Sequence, residues 1–76
     1  MTTNEWRHVF ATRLKNKMNE KGMTQTELAM KSGLTRATIN HYLFEERTAK
    51  IDAILNMAKV LECGVEELVY VSEMVK

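Results

Sequence analysis

Gly33-Leu34-Thr35 stops one helix and starts another within three residues. Gly33 suits the left-handed conformation with which helices end, and Thr35, two places on, is a good N-cap. Upstream, Thr24 followed three places later by Glu27 forms a capping-box pattern, so a helix is predicted from Gln25 with Leu28, Ala29 and Ser32 on its inward side. Downstream, a helix is predicted from Arg36 to about Phe44, with Ile39, Tyr42 and Leu43 facing inward. Two helices joined by so short a turn cross at about 90–120°. The second is left protruding.

The rest of the chain reads as helix as well. From Glu5 to Lys21 the apolar residues Trp6, Phe10, Leu14 and Met18 recur every fourth place, and Gly22 closes the stripe. Glu45 to Lys50 is a polar loop. A fourth helix opens at Ile51, or after Asp52 acting as a cap; Ile54, Leu55, Ala58 and Leu61 form its buried face and Gly64 ends it. Val65 to Lys76 is open to two readings, since Glu66, Glu67 and Leu68 resemble a helix start while "LVYVS" is β-branched enough for a strand; the helix is favoured. With no repeat, linker or low-complexity tract, residues 1–76 are expected to form one all-α domain of five short helices.

A chain of 76 residues, 45% apolar, is long enough for one small core. Such a core is marginal without a disulfide, a metal or a second subunit. Cys63 is the sole cysteine and reads as a small buried filler, and no Cys/His set has zinc-ligand spacing. Association is therefore the expected source of extra stability. The contiguous acids Glu66 and Glu67, with Glu62 nearby, read as partners of a helix dipole rather than as a metal site. The methionines fill core and interface, and Trp6 either covers the core over the first helix or makes a dimer contact. No signal peptide or bilayer-spanning run is visible, so the expected location is the cytoplasm.

Net charge is only +1, but its distribution is uneven. Residues 1–50 carry nine Lys/Arg against five Asp/Glu, whereas residues 51–76 carry two against five. A basic front and an acidic back suit a protein that meets a polyanion with one side. The outward face of the protruding helix agrees with this. Arg36, Ala37, Thr38, Asn40 and His41 are compact or hydrogen-bonding, and none is acidic, although an ordinary solvated face would normally include Glu or Asp. Such a face is able to enter a groove about 12 Å wide.

The stretch "MTQTELAMKSGLTRATINHYL", followed by "IDAILNMAKVLECGVEEL", resembles the phage repressor and Cro-like, or Xre-type, helix-turn-helix family over roughly residues 8 to 70. The shared features are Thr24-Gln25, Leu28-Ala29, Gly33-Leu34-Thr35, Ile39-Asn40 and the Ala58–Leu68 tail. The resemblance implies a compact lambda-repressor-like fold that binds double-stranded DNA. Gln25 would touch the phosphate backbone, and Thr24 and Thr35 would cap helices whose N-terminal N–H groups point at phosphates. Arg36, Ala37, Thr38, Asn40 and His41 would lie at base edges or nearby phosphates: Arg36 is suited to guanine, Asn40 to adenine or a phosphate, and the Ala37 methyl to thymine. Arg47 and Lys50 would hold the backbone. The chain departs from the family pattern at Met18 and Leu43, where relatives often carry an Arg–Glu pair, and at Glu45 and Ala49, where they have Gly and Pro. At Phe44 relatives are usually polar; here the ring either folds inward, packs on sugar rings or meets a partner.

The expected function is a transcriptional regulator, a repressor binding a palindromic operator as a homodimer. One recognition helix, at about 1–3 kcal/mol per base pair, discriminates too weakly alone. Val69, Tyr70, Val71, Met74 and Val75 are the expected dimer surface, within a carboxy-terminal helix or arm spanning residues 65–76. With no ligand domain in view, regulation would follow concentration or a partner, at the nucleoid. The alternative is an antitoxin-type protein whose carboxy-terminal surface also covers a partner protein. No nucleophile–base pair, phosphate loop, metal cluster or cofactor motif is visible, so an enzyme is not expected.

Overall fold

A computed structural model describes residues 2–69. The helices follow in the order α1 (Thr3–Lys21), α2 (Gln25–Ser32), α3 (Arg36–Leu43), α4 (Ile51–Val60) and α5 (Glu66–Val69), and the described residues contain no strand. The helix reading of the carboxy-terminal segment therefore holds for Glu66–Val69.

Local chemistry explains where the helices begin. Thr2 and Glu5 form a reciprocal capping box, so α1 starts two residues before the expected Glu5. Thr24 and Glu27 form a second box at α2. Thr35 caps α3 by accepting from the Thr38 N–H at 3.1 Å. α4 begins at Ile51 after Lys50, which makes no side-chain cap; the Asp52 carboxylate instead accepts from the Ala53 N–H inside the first turn.

Helix exits obey one rule that the sequence only half reveals. Left-handed residues end the helices at Gly22 (φ 62°) and Gly33 (φ 75°), but also at Glu45 (φ 62°) after α3 and Glu62 (φ 54°) after α4. Each of these four exits closes with an N–H reaching back five residues: Met23 to Met18, Leu34 to Ala29, Glu46 to His41 and Cys63 to Ala58. The expectation that Gly64 ends the fourth helix is thus corrected: α4 stops at Val60 and Glu62 makes the reversal. Likewise α3 ends at Leu43, with Phe44 as its cap.

The core gathers one stripe from each helix. Phe10, Leu14 and Met18 of α1 meet Leu28 and Ala29 of α2, Ile39, Tyr42 and Leu43 of α3, Ile54, Met57 and Ala58 of α4, and Leu68 of α5. Phe10 stands at its centre, edge-on to Tyr42, and half-buried Trp6 lies beside it. Met18 and Leu43, which stand where relatives place an ion pair, are both buried in this apolar cluster. One expected core residue is not there: Leu55 is half exposed, because Ile54 takes the inward position of that turn. Cys63 is half-buried rather than buried, and desolvation pushes its thiol up. Packing of α1 on α3 and of α2 on both α3 and α4 holds α3 by one side only.

Candidate nucleic-acid interface

The inward residues of α3 decide what faces out. Ile39 is wholly buried and Tyr42 and Leu43 nearly so, which anchors the helix and leaves Arg36 and Ala37 exposed and Thr38, Asn40 and His41 half-exposed. The five outward residues inferred from sequence therefore share the solvent side of α3. None has been drawn into the core.

Electrostatics at the start of α3 differ from those of its neighbours. α1, α2, α4 and α5 each carry an acid in the first turn, and α3 carries none. In α1 and α2 the acid folds over the helix start as half of a capping box. At α3 the cap is made by hydroxyls alone, Thr35 Oγ1 lying 2.9 Å from Thr38 Oγ1. The positive end of its dipole is thus left without a local carboxylate, with Arg36 exposed beside it.

The matching segment of sequence is long. Residues 14–68 match the Helix-turn-helix family, so the match takes in α2, the Gly33 turn and α3 with the elements that support them. The chain belongs to the helix-turn-helix family. The helix-turn-helix is a unit that binds DNA by placing its second helix in the major groove, and α2, the Gly33 turn and α3 are that unit here.

Solved helix-turn-helix structures share the architecture. The restriction-modification controller protein C.AhdI from Aeromonas hydrophila is 32% identical with a TM-score of 0.76, the alignment covering 79% of this chain and 91% of that one. The hypothetical transcription factor NHTF from Neisseria is 23% identical with a TM-score of 0.85, covering 99% and 86%. An HTH_3 family transcriptional regulator from Vibrio cholerae is 21% identical with a TM-score of 0.84, covering 88% of this chain but only 38% of that one. The last two show likeness of fold alone. Comparison with curated proteins gives no match.

Within this helix-turn-helix unit the remaining candidate residues take distinct places. Thr24 is exposed and committed to its capping box, and Gln25 is half-exposed at the start of α2. Arg47 and Lys50 are exposed on the loop after α3, which is fastened by buried Ala49 and by Arg7, whose Nε donates to Thr48 Oγ1 at 2.9 Å. Phe44 does not fold inward; it is 70% exposed, at the rim of a cleft of about 340 Å³ shared with Lys15 and Gln25. Val69 rests partly against the domain's own core, and Tyr70, Val71, Met74 and Val75 lie outside the described residues.

The sequence places the acids Glu45 and Glu46 in the polar loop beyond the helix, without a partner for either. The left-handed turn at Glu45 brings both back. The Glu45 carboxylate meets His8 Nδ1 of α1 at 3.0 Å, and the Glu46 carboxylate meets His41 Nδ1 at 2.7 Å. Among the described residues no cluster of three His, Cys, Asp or Glu is placed to hold a metal, and no helix is long and apolar enough to cross a membrane. Glu67 is engaged by Lys17.

Proposed function

We propose that the protein is a sequence-specific repressor that binds a palindromic operator as a homodimer, with α3 as the helix that enters the major groove. The observation that carries this reading is the outward side of α3: Arg36, Ala37, Thr38, Asn40 and His41 together on the solvent face, at the one helix start among the described residues without an acid. Arg36 is suited to fork onto guanine, Asn40 to pair adenine or grip a phosphate, and Ala37 to meet a thymine methyl. Gln25, Thr24 and Thr35 at helix starts, and Arg47 and Lys50 on the loop, supply sequence-independent hold on the backbone.

Dimerisation follows from the energetics of so small a reader. A few base pairs at about 1–3 kcal/mol each do not select one site from a genome, and two subunits on half-sites one turn apart double the information. Apolar surface remains for association, since Ile51 and Leu55 lie one turn apart and exposed on α4. A restriction-modification controller protein is among the similar solved structures, which supports a regulatory role.

Selection of bound fragments from random duplex DNA tests all parts together. The expected consensus is two-fold symmetric, with half-sites about 34 Å apart, and footprints at a stoichiometry of two chains per site. Absence of any enriched sequence would overturn the reading; an enriched but asymmetric single site would overturn the homodimer.

A further inference from the structure

An acid beside the DNA-facing side of α3 is a cost unless it does something there, because a carboxylate near phosphates is repelled. Glu46 is such an acid, and it is held in place twice. Its N–H donates to the His41 carbonyl at 2.8 Å, the back-reaching bond of the α3 exit, and its carboxylate lies 2.7 Å from His41 Nδ1. The first bond belongs to the backbone turn made by left-handed Glu45, which the Glu45 carboxylate fastens to His8 of α1 at 3.0 Å. The fold of the main chain thus brings residue 46 beside the His41 ring, and the Glu46 side chain, itself 59% exposed, completes the contact.

Chemistry then sets the state of the ring. An ionised carboxylate only accepts, so the proton of this hydrogen bond sits on Nδ1. The other nitrogen, Nε2, lies across the ring from Glu46. A histidine held in this way by a second residue has its tautomer and its direction chosen before any ligand arrives, as metal-binding histidines do. His41 is half-exposed, with 35% of its side chain open to solvent.

We propose that Glu46 is a positioning residue for DNA recognition, fixing the proton of His41 on Nδ1 and presenting Nε2 to the DNA. The inference rests on α3 being the DNA-reading helix. It makes a sign prediction that a purely electrostatic view of Glu46 reverses. Removing a carboxylate from a DNA-facing surface should tighten binding if charge is all that matters, whereas removing a positioning acceptor should loosen it.

The experiment measures affinity for the duplex that the wild-type protein selects from random DNA, using Glu46→Ala, Glu46→Gln, His41→Ala and the double variant, each checked for helix content. The backbone bond from residue 46 to His41 survives in all of them. Glu46→Ala is expected to weaken binding about three- to tenfold, to add nothing further in the His41→Ala background, and to be rescued by Glu46→Gln, which keeps an acceptor without the charge. Equal or tighter binding by Glu46→Ala, additive losses in the double variant, or failure of Glu46→Gln to rescue would each overturn the proposal. A wild-type protein that selects no duplex would overturn the reading of α3 itself, and the inference with it.

Discussion

Lys17 of α1 donates a hydrogen bond to Glu67 of α5 at 2.7 Å, joining the first and last helices of the described chain. The other oxygen of Glu67 accepts from the Gly64 N–H at 2.9 Å, and Lys17 also reaches Glu20 at 3.0 Å. One carboxylate therefore both starts α5 and pins it to α1. The four residues of α5 form too short a helix to persist alone, so its position depends on this pin and on buried Leu68.

Stability should consequently fall in acid in a way that Glu67 controls. Its hydrogen bonds, first to Lys17 and then to the Gly64 N–H, hold its carboxyl below the usual carboxylate range. A group with a depressed folded value stabilises the fold above its ordinary titration range and loses that contribution as pH drops through the folded value. Lys17 is shifted upward, chiefly by the same bond to Glu67, so its contribution is complete at neutral pH and fades only in strong base. Thermal unfolding of the wild type and of Glu67→Gln should show the variant less stable at pH 7, with the two midpoints converging below about pH 4. A gap that stays constant with pH would remove Glu67 from this role.

Arg36→Ala should cost about 1–3 kcal/mol in binding and relax preference at one base position. The exposure of Arg36 beside the Thr35 cap makes the fold indifferent to the change, so loss of helix content would not accompany it. Repeating the selection from random DNA with the variant locates the position. An equal loss on all sequences would make Arg36 a phosphate contact instead.

Lys50→Ala addresses the backbone part of the interface. Lys50 is exposed, and as the residue before α4 it makes no side-chain cap, so its removal should leave stability nearly unchanged. If it neutralises a phosphate, one fewer counterion is released on binding, and the slope of log affinity against log salt becomes shallower by about 0.9. Affinity should fall evenly over all sequences. An unchanged slope would take Lys50 out of the footprint.

The parts of this structure that could be read from sequence are those written in short-range chemistry. Thr24 with Glu27, Gly33 and Thr35 mark the helix-turn-helix because a cap and its partner lie within three residues of each other. The outward side of α3 follows by subtraction once Ile39, Tyr42 and Leu43 are turned inward. Leu55 was misread because Ile54 and Leu55 both suit a three-four spacing, and only packing against the other helices chooses between neighbours. Glutamate has no preference for the left-handed region, so the turn at Glu62 carries no mark and the one at Glu45 is marked only by the Gly that relatives carry there. The contact between Glu46 and His41 was hidden too, because it exists only after Glu45 reverses the chain.

One marked turn and one unmarked turn, at Gly33 and Glu62, yield a paired stability test. Gly33 at φ 75° has open space around an added Cβ, so Gly33→Ala carries a torsional cost without a clash, expected at about 1 kcal/mol. Glu62 at φ 54° already bears that cost, and Glu62→Gly relieves it. Against the gain stand the larger backbone entropy of glycine in the unfolded chain and the loss of a 3.8 Å pair with Lys21, both ends of which are exposed enough for it to contribute little. The net expectation for Glu62→Gly is a stabilisation of about 0.5–1 kcal/mol, which in a domain of this size raises the unfolding midpoint by roughly 2–8 °C. Calorimetry on both variants decides it: Gly33→Ala should move down and Glu62→Gly up. A drop for Glu62→Gly would mean that its side chain stabilises the α4 exit by more than the backbone strain it carries.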